Sequence, residues 1–170
     1  LQSHGATTIG GYALFAGGNY VFGDAYDKNL TQTALASLSS ERYQVCGVSN
    51  GTYALFCGGA NNNSSTNAVD AYNASLSKTT STLEAKTRRA AGTRVGNHAV
   101  VQQANVVQTF DQSLTRVRIA DMPHDRIGAE ATTVNNHAIF AGGYYGTKTV
   151  VAYDASFTQK ILDSLIVSRE

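Results

Sequence analysis

Four times in this chain an arginine stands sixteen residues after an aromatic: Tyr26 to Arg42, Tyr72 to Arg88, Phe110 to Arg126 and Tyr153 to Arg169. A guanidinium stays charged at any working pH and grips a carboxylate through a two-pronged fork. Carboxylate recognition is therefore the chemistry these positions offer. A residue repeated in every unit is more often architecture than site. The first reading is thus that each arginine binds backbone carbonyls or an acid of the neighbouring unit, and ligand binding is the second. Glu130 breaks the pattern, because the aligned positions hold Gly5, Gln44 and Ala91. A carboxylate there should face a polar channel or a partner such as Arg126 or Arg94.

Other reactive side chains point less far. Cys46 aligns with Thr7, Thr93 and Thr132, and Cys57 with Ala16 and Ala141. That places the thiols diagonally on adjacent strands, where packing is expected and a disulfide is geometrically second-best. His98 and His137 fill the slot of Tyr12 and Tyr53, and His4 and His124 lack ligand spacing, so no metal or other cofactor is expected. There is no P-loop, dinucleotide fingerprint or H-E-x-x-H. The expectation is a protein without catalytic activity.

The elements that position these groups are written in the repeat. Each aromatic is followed by Asp27, Asn73, Asp111 or Asp154, then by Leu30, Leu76, Leu114 or Phe157 four residues after the aromatic. The Asp or Asn suits an Asx-type turn between two strands. Upstream, Gly10-Gly11, Gly96-Asn97 and Asn135-Asn136 sit between apolar residues as two-residue type I′ hairpin turns, and Ser49 to Thr52 is a longer version. Tyr12 to Gly18 reads YALFAGG and Tyr53 to Gly59 reads YALFCGG, apolar strands ending in Gly-Gly. Each unit gives four short strands, the form of a propeller blade. The predicted blades cover about 1–42, 43–88, 89–126 and 127–170. They make one all-β domain, either a closed four-bladed ring or part of a larger one.

The Gly-Gly doublet, the later Tyr-Asp, and Met122-Pro123 with Arg126 before the next strand resemble kelch repeats across essentially the whole chain. Two departures stand out. There is no Trp, and Gln102-Gln103-Ala104 replaces the Gly-Gly in the third unit. The YALFAGG form also resembles kelch-like arrays of bacterial and phage-encoded proteins. The resemblance implies a kelch-like β-propeller in which Arg42, Arg88, Arg126 and Arg169 can line the mouth of a central pocket.

Composition bounds the partners. In 170 residues the formal net charge is +1 and only 15% are charged. No field draws nucleic acid, and no apolar run reaches a membrane span. The first residue is Leu1, so the chain reads as a processed product or a piece of something longer. An extracellular, virion or cell-surface location is the slight preference.

Strand polarity puts the 2–3 and 4–1 connections of each unit on one face. The 2–3 segments vary: Asn19–Phe22, Ala60–Asn67, Gln103–Asn105 and Tyr144–Lys148. Loops that vary on a constant frame are where specificity is carried. Tyr20, Phe22, Tyr144 and Tyr145 offer aromatic surface, and Asn62 and Asn63 offer amides. The leading expectation is a binding module that recognises a glycan or a protein through this face. The alternatives are a structural component whose open blade edges pair as a homo-oligomer, in a fibre, a virion or cell-surface appendage or a multi-chain ring, and a kelch-fold enzyme acting on an acidic sugar.

Overall fold

The computed structural model describes residues 3–62, 64–144 and 148–167, and no helix occurs among them. The first blade is a meander of β1 (His4–Ile9), β2 (Tyr12–Gly17), β3 (Gly23–Tyr26) and β4 (Gln32–Ala34). The second holds β5 (Cys46–Ser49), β6 (Tyr53–Cys57), β7 (Ala60–Asn61), β8 (Ser64–Asn73) and β9 (Lys78–Thr87). The third runs β10 (Ala91–Val95), β11 (His98–Gln103), β12 (Val106–Phe110) and β13 (Arg116–Arg118). The fourth runs β14 (Glu130–Val134), β15 (His137–Ala141), β16 (Val150–Tyr153) and β17 (Gln159–Leu162). Every pairing is antiparallel, and these four sheets are propeller-type blades.

The turns follow from local chemistry. In all four blades the Asp or Asn after the aromatic accepts two backbone N–H bonds, from the residues two and four positions on, at 2.8–3.0 Å. This Asx turn forces the following Leu30, Leu76, Leu114 and Phe157 to φ of 60–62°. An L-residue there costs on the order of 1 kcal/mol. Gly10-Gly11 and Asn135-Asn136 both take positive φ at each residue, as a type I′ turn demands. In Gly96-Asn97 only Gly96 does, the requirement of type II′.

Two local expectations are corrected. Ala60–Asn67 is no free loop: β7 folds back on β8, pairing Ala60 with Ser65, and gives the second blade a fifth strand. Cys46 and Cys57 are directly opposed across β5 and β6 rather than diagonal, and both thiols are free and buried.

The core lies between blades. One apolar cluster joins the first and second blades through Leu14, Leu35, Leu38, Phe56 and Tyr72. A second joins the next pair through Val48, Leu55, Leu83, Val101 and Phe110. A third joins the last pair through Val95, Val100, Met122, Phe140 and Tyr153. The innermost strands β1, β5, β10 and β14 pack side by side in that order. No comparable packing joins β14 back to β1 among the described residues, so the blades form an open arc.

Candidate functional site

The entrances to the inner strands are tied into a rim. The Gln44 N–H donates to the Ser3 carbonyl at 2.9 Å, Arg89 N–H to Gln44 at 3.2 Å, and Gly128 N–H to Arg89 at 3.2 Å. Gln44, Arg89 and Gly128 all take left-handed φ, of 57°, 55° and 73°. They are one structural position in three blades, and only in the third is it the glycine that such a φ favours.

The arginine repeat slips by one residue at this rim. Gly18 N–H donates to the Arg42 carbonyl at 3.0 Å, whereas the equivalent Gly59 N–H donates to Thr87 at 2.9 Å. Thr87, not Arg88, therefore occupies the Arg42 slot. The cause is β9, which runs unbroken to Thr87 and pairs it with Thr66 across a bulge, while β4 and β13 stop early. Arg88 is left exposed, and Arg89 moves to the rim.

The four repeat arginines thus part company. Arg42 is sealed in the interior, its Nη1 2.8 Å from the Asp70 carboxylate and its Nη2 donating to the Phe56 carbonyl at 3.0 Å. Arg126 is equally buried and donates from Nη1 to the Thr149 carbonyl at 2.9 Å. Neither can reach a ligand, because each guanidinium is sealed in the interior against the next blade. Arg88 faces solvent. Arg169, with Asn63 and Tyr145, lies outside the described residues.

The rim chemistry centres on Arg89. Its Nη1 donates to the Tyr144 hydroxyl at 2.8 Å, and its guanidinium carbon stands 5.3 Å from the Tyr144 ring centre. With the Gln44 amide oxygen turned towards it, Gln44 accepts from Nε at 2.8 Å and from Nη2 at 3.1 Å. Those bonds use three of the five guanidinium N–H donors and leave one on each terminal nitrogen. Gln44, Arg88, Arg89, Ile127 and Tyr144 line a cleft of about 330 Å³ with no carboxylate among its described lining residues.

The cleft opens beside a groove of about 550 Å³ along the inner strands, where Glu130 sits. Glu130 is exposed and makes no ion pair among the described residues. Its expected partners are engaged elsewhere, Arg94 donating to the Gly96 carbonyl at 2.6 Å and Arg126 to Thr149. Tyr20, Phe22 and Asn62 are exposed on their loops but line neither space. On the opposite face a depression of about 630 Å³ is walled largely by turns, with Asp27 and Arg94 both committed to backbone groups. Among the described residues no cluster of His, Cys, Asp and Glu could hold a metal ion.

Of the expected site residues that are described, Tyr144 and Arg88 line the cleft and Glu130 the adjoining groove, and Gln44, Arg89 and Ile127 join them. Arg89 was missed because it is the second of an Arg-Arg pair whose first member fits the sixteen-residue spacing. That doubled arginine was the available signal.

No known family matches the chain, and no curated protein matches it. Solved structures do. One of them, described as the structure of YjhT, matches with a TM-score of 0.79 at 14% identity, over 97% of this chain. The chain spans 66% of the length of that protein. Likeness at this identity carries the fold, a propeller-type arrangement of blades, and nothing of the chemistry.

Proposed function

We propose that the protein is a non-catalytic, divergent kelch-type module that binds a carboxylate-bearing glycan on the rim between its second, third and fourth blades. One observation carries the reading: two adjacent guanidinium groups meet an aromatic ring and an amide in a cleft whose described lining holds no acid. Arg89 is held in place before any ligand arrives, so little side-chain entropy is lost when its remaining N–H fork meets a carboxylate. Arg88 adds a second charge at the mouth. The Tyr144 ring offers a flat apolar face of the kind that sugar rings stack on.

The test is calorimetric titration with a uronic-acid oligosaccharide and a neutral oligosaccharide of equal length. The acidic one should bind and the neutral one should bind at least tenfold more weakly. Arg89→Ala should weaken acidic binding by roughly tenfold or more, the scale of a hydrogen bond to a charged group. Arg88→Ala should do less and should flatten the dependence on salt. Equal affinity for both sugars, or an Arg89→Ala variant that binds normally, would refute this reading.

A further inference from the structure

The two ends of the arc carry the two halves of one interface. Ile9, Val95 and Val134 are the same position in the first, third and fourth blades, each paired with the first residue of the next strand, and lie on the face that a following blade covers. Ile9 and Val95 are 5% and 2% exposed, and Val134, on which no blade packs among the described residues, is 51% exposed. Looking the other way, Phe56 and Phe140 are fully buried against the preceding blade, while the matching Phe15 is 44% exposed.

The same split runs through the rest of the contact. Phe15 meets Tyr26 edge-on at 6.2 Å, the geometry of Phe56 with Tyr72 at 5.9 Å and Phe140 with Tyr153 at 6.1 Å. In the covered copies the tyrosine hydroxyl donates across the boundary, Tyr72 to the Ala36 carbonyl at 2.5 Å and Tyr153 to Ala120 at 2.7 Å. Leu76, Leu114 and Phe157 pack on the preceding blade, whereas Leu30 is 80% exposed. Asp24 matches Asp70, the carboxylate that receives Arg42 across the first boundary, but among the described residues its side chain meets only Gln32.

The fourth blade has already built the covering half. Leu165 N–H donates to the Lys148 carbonyl at 2.9 Å, as Leu38 does to Val21 and Met122 to Asn105 at 2.7 Å each. These are the turns that close over the next blade's tyrosine in the internal interfaces.

We propose that the first-blade face, Phe15, Asp24, Tyr26 and Leu30, is the docking site for the fourth-blade face, Val134, Ile139, Leu162 and Leu165, of a second copy of this chain. Three internal interfaces with the same positions are the template. The contact is heterologous: each copy uses a different face. Among the described residues the arc does not close on itself, so the two faces do not meet within it.

Light scattering across a concentration series tests this, with Phe15→Lys and Val134→Lys as probes. Both positions are exposed in a single chain, so dilute samples should keep the wild-type Tm. The wild-type mass should rise above 18.0 kDa with concentration, and each variant alone should stay at one chain. An equimolar mixture should give a two-chain species, because the Phe15→Lys chain keeps its fourth-blade face and the Val134→Lys chain keeps its first-blade face. A wild type that stays at one chain up to its solubility limit would overturn the proposal and assign the faces to a different partner. Association that survives both charges would overturn it, and so would a mixture that fails to pair.

Discussion

Arg42 and Asp70 form an ion pair at 2.8 Å with both side chains wholly out of water. The carboxylate also accepts from the Ser39 backbone N–H at 3.1 Å and from the Ser39 hydroxyl at 3.0 Å. Arg126 fills the same slot between the third and fourth blades, yet Val151 stands where Asp70 would be, and its Nε and Nη2 have no hydrogen-bond partner among the described residues.

The same substitution should therefore give different results at these two sites. Arg42→Met leaves the buried Asp70 carboxylate with Ser39 and the more distant Lys78 ammonium at 3.5 Å, and should cost about 3 kcal/mol, or roughly 10 °C in Tm. Arg126→Met removes a buried cation whose guanidinium meets one carbonyl among the described residues, and should be neutral or mildly stabilising. Thermal melts of the two variants decide it, and equal losses would refute the assignment.

A second prediction concerns alkaline pH. Burial, and secondarily the charge of Glu130, push the Cys46 thiol from 9.0 up to about 12, and burial holds Cys57 well above its ordinary range. Burial also pushes the Tyr153 phenol from 10.0 up to about 12. These groups keep their protons in the fold after the unfolded chain has lost them, so their contribution is intact below pH 9 and is lost as pH rises towards 12. Denaturant midpoints should fall steadily over that window. Native thiols should resist a disulfide reagent at pH 8 and react only at the rate of global unfolding.

The Asx turns should separate strain from packing. Asp111→Ala or Asp154→Ala removes two backbone hydrogen bonds and should cost about 1–2 kcal/mol by chemical denaturation. Leu30→Gly relieves the left-handed φ and loses little burial in a dilute chain, so it should be neutral or stabilising by about 0.5 kcal/mol. Leu114→Gly relieves the same strain but gives up packing, and should be destabilising by roughly 1 kcal/mol.

Glu130→Gln should strengthen rather than abolish binding of an anionic ligand, by roughly twofold to fivefold at low salt, because it removes a like charge across a watery groove. Tm should not move, since the side chain is exposed and unpaired. Loss of an activity in this variant would instead favour the enzyme alternative.

The blade frame was legible because its signals are local. An Asx turn needs one acceptor and a short offset, and a two-residue hairpin needs residues that accept positive φ, so both appear at fixed spacing. The rim was not legible, because it depends on how sixteen residues are spent between Tyr72 and Arg88. A strand that runs on to Thr87 uses them differently from one that turns at Ala34, and periodicity does not see that choice. The burial of Arg126 was legible as architecture. Its lack of a carboxylate became visible only once Val151 was placed beside Asp70.

The inner strands meet with almost nothing between them. A Cβ on Gly47 would lie 2.4 Å from the Ala6 carbonyl oxygen, and one on Gly92 would lie 2.8 Å from the Cys46 sulfur. These two glycines act as the pivots of a fan. They set how sharply each blade turns from the last, and so how many blades would complete a circle. A methyl group at either would pry the strands apart at the axis while the outer cores stayed fastened, and the arc would straighten. The size of any ring built from this sequence is held less by its large side chains than by two positions with none.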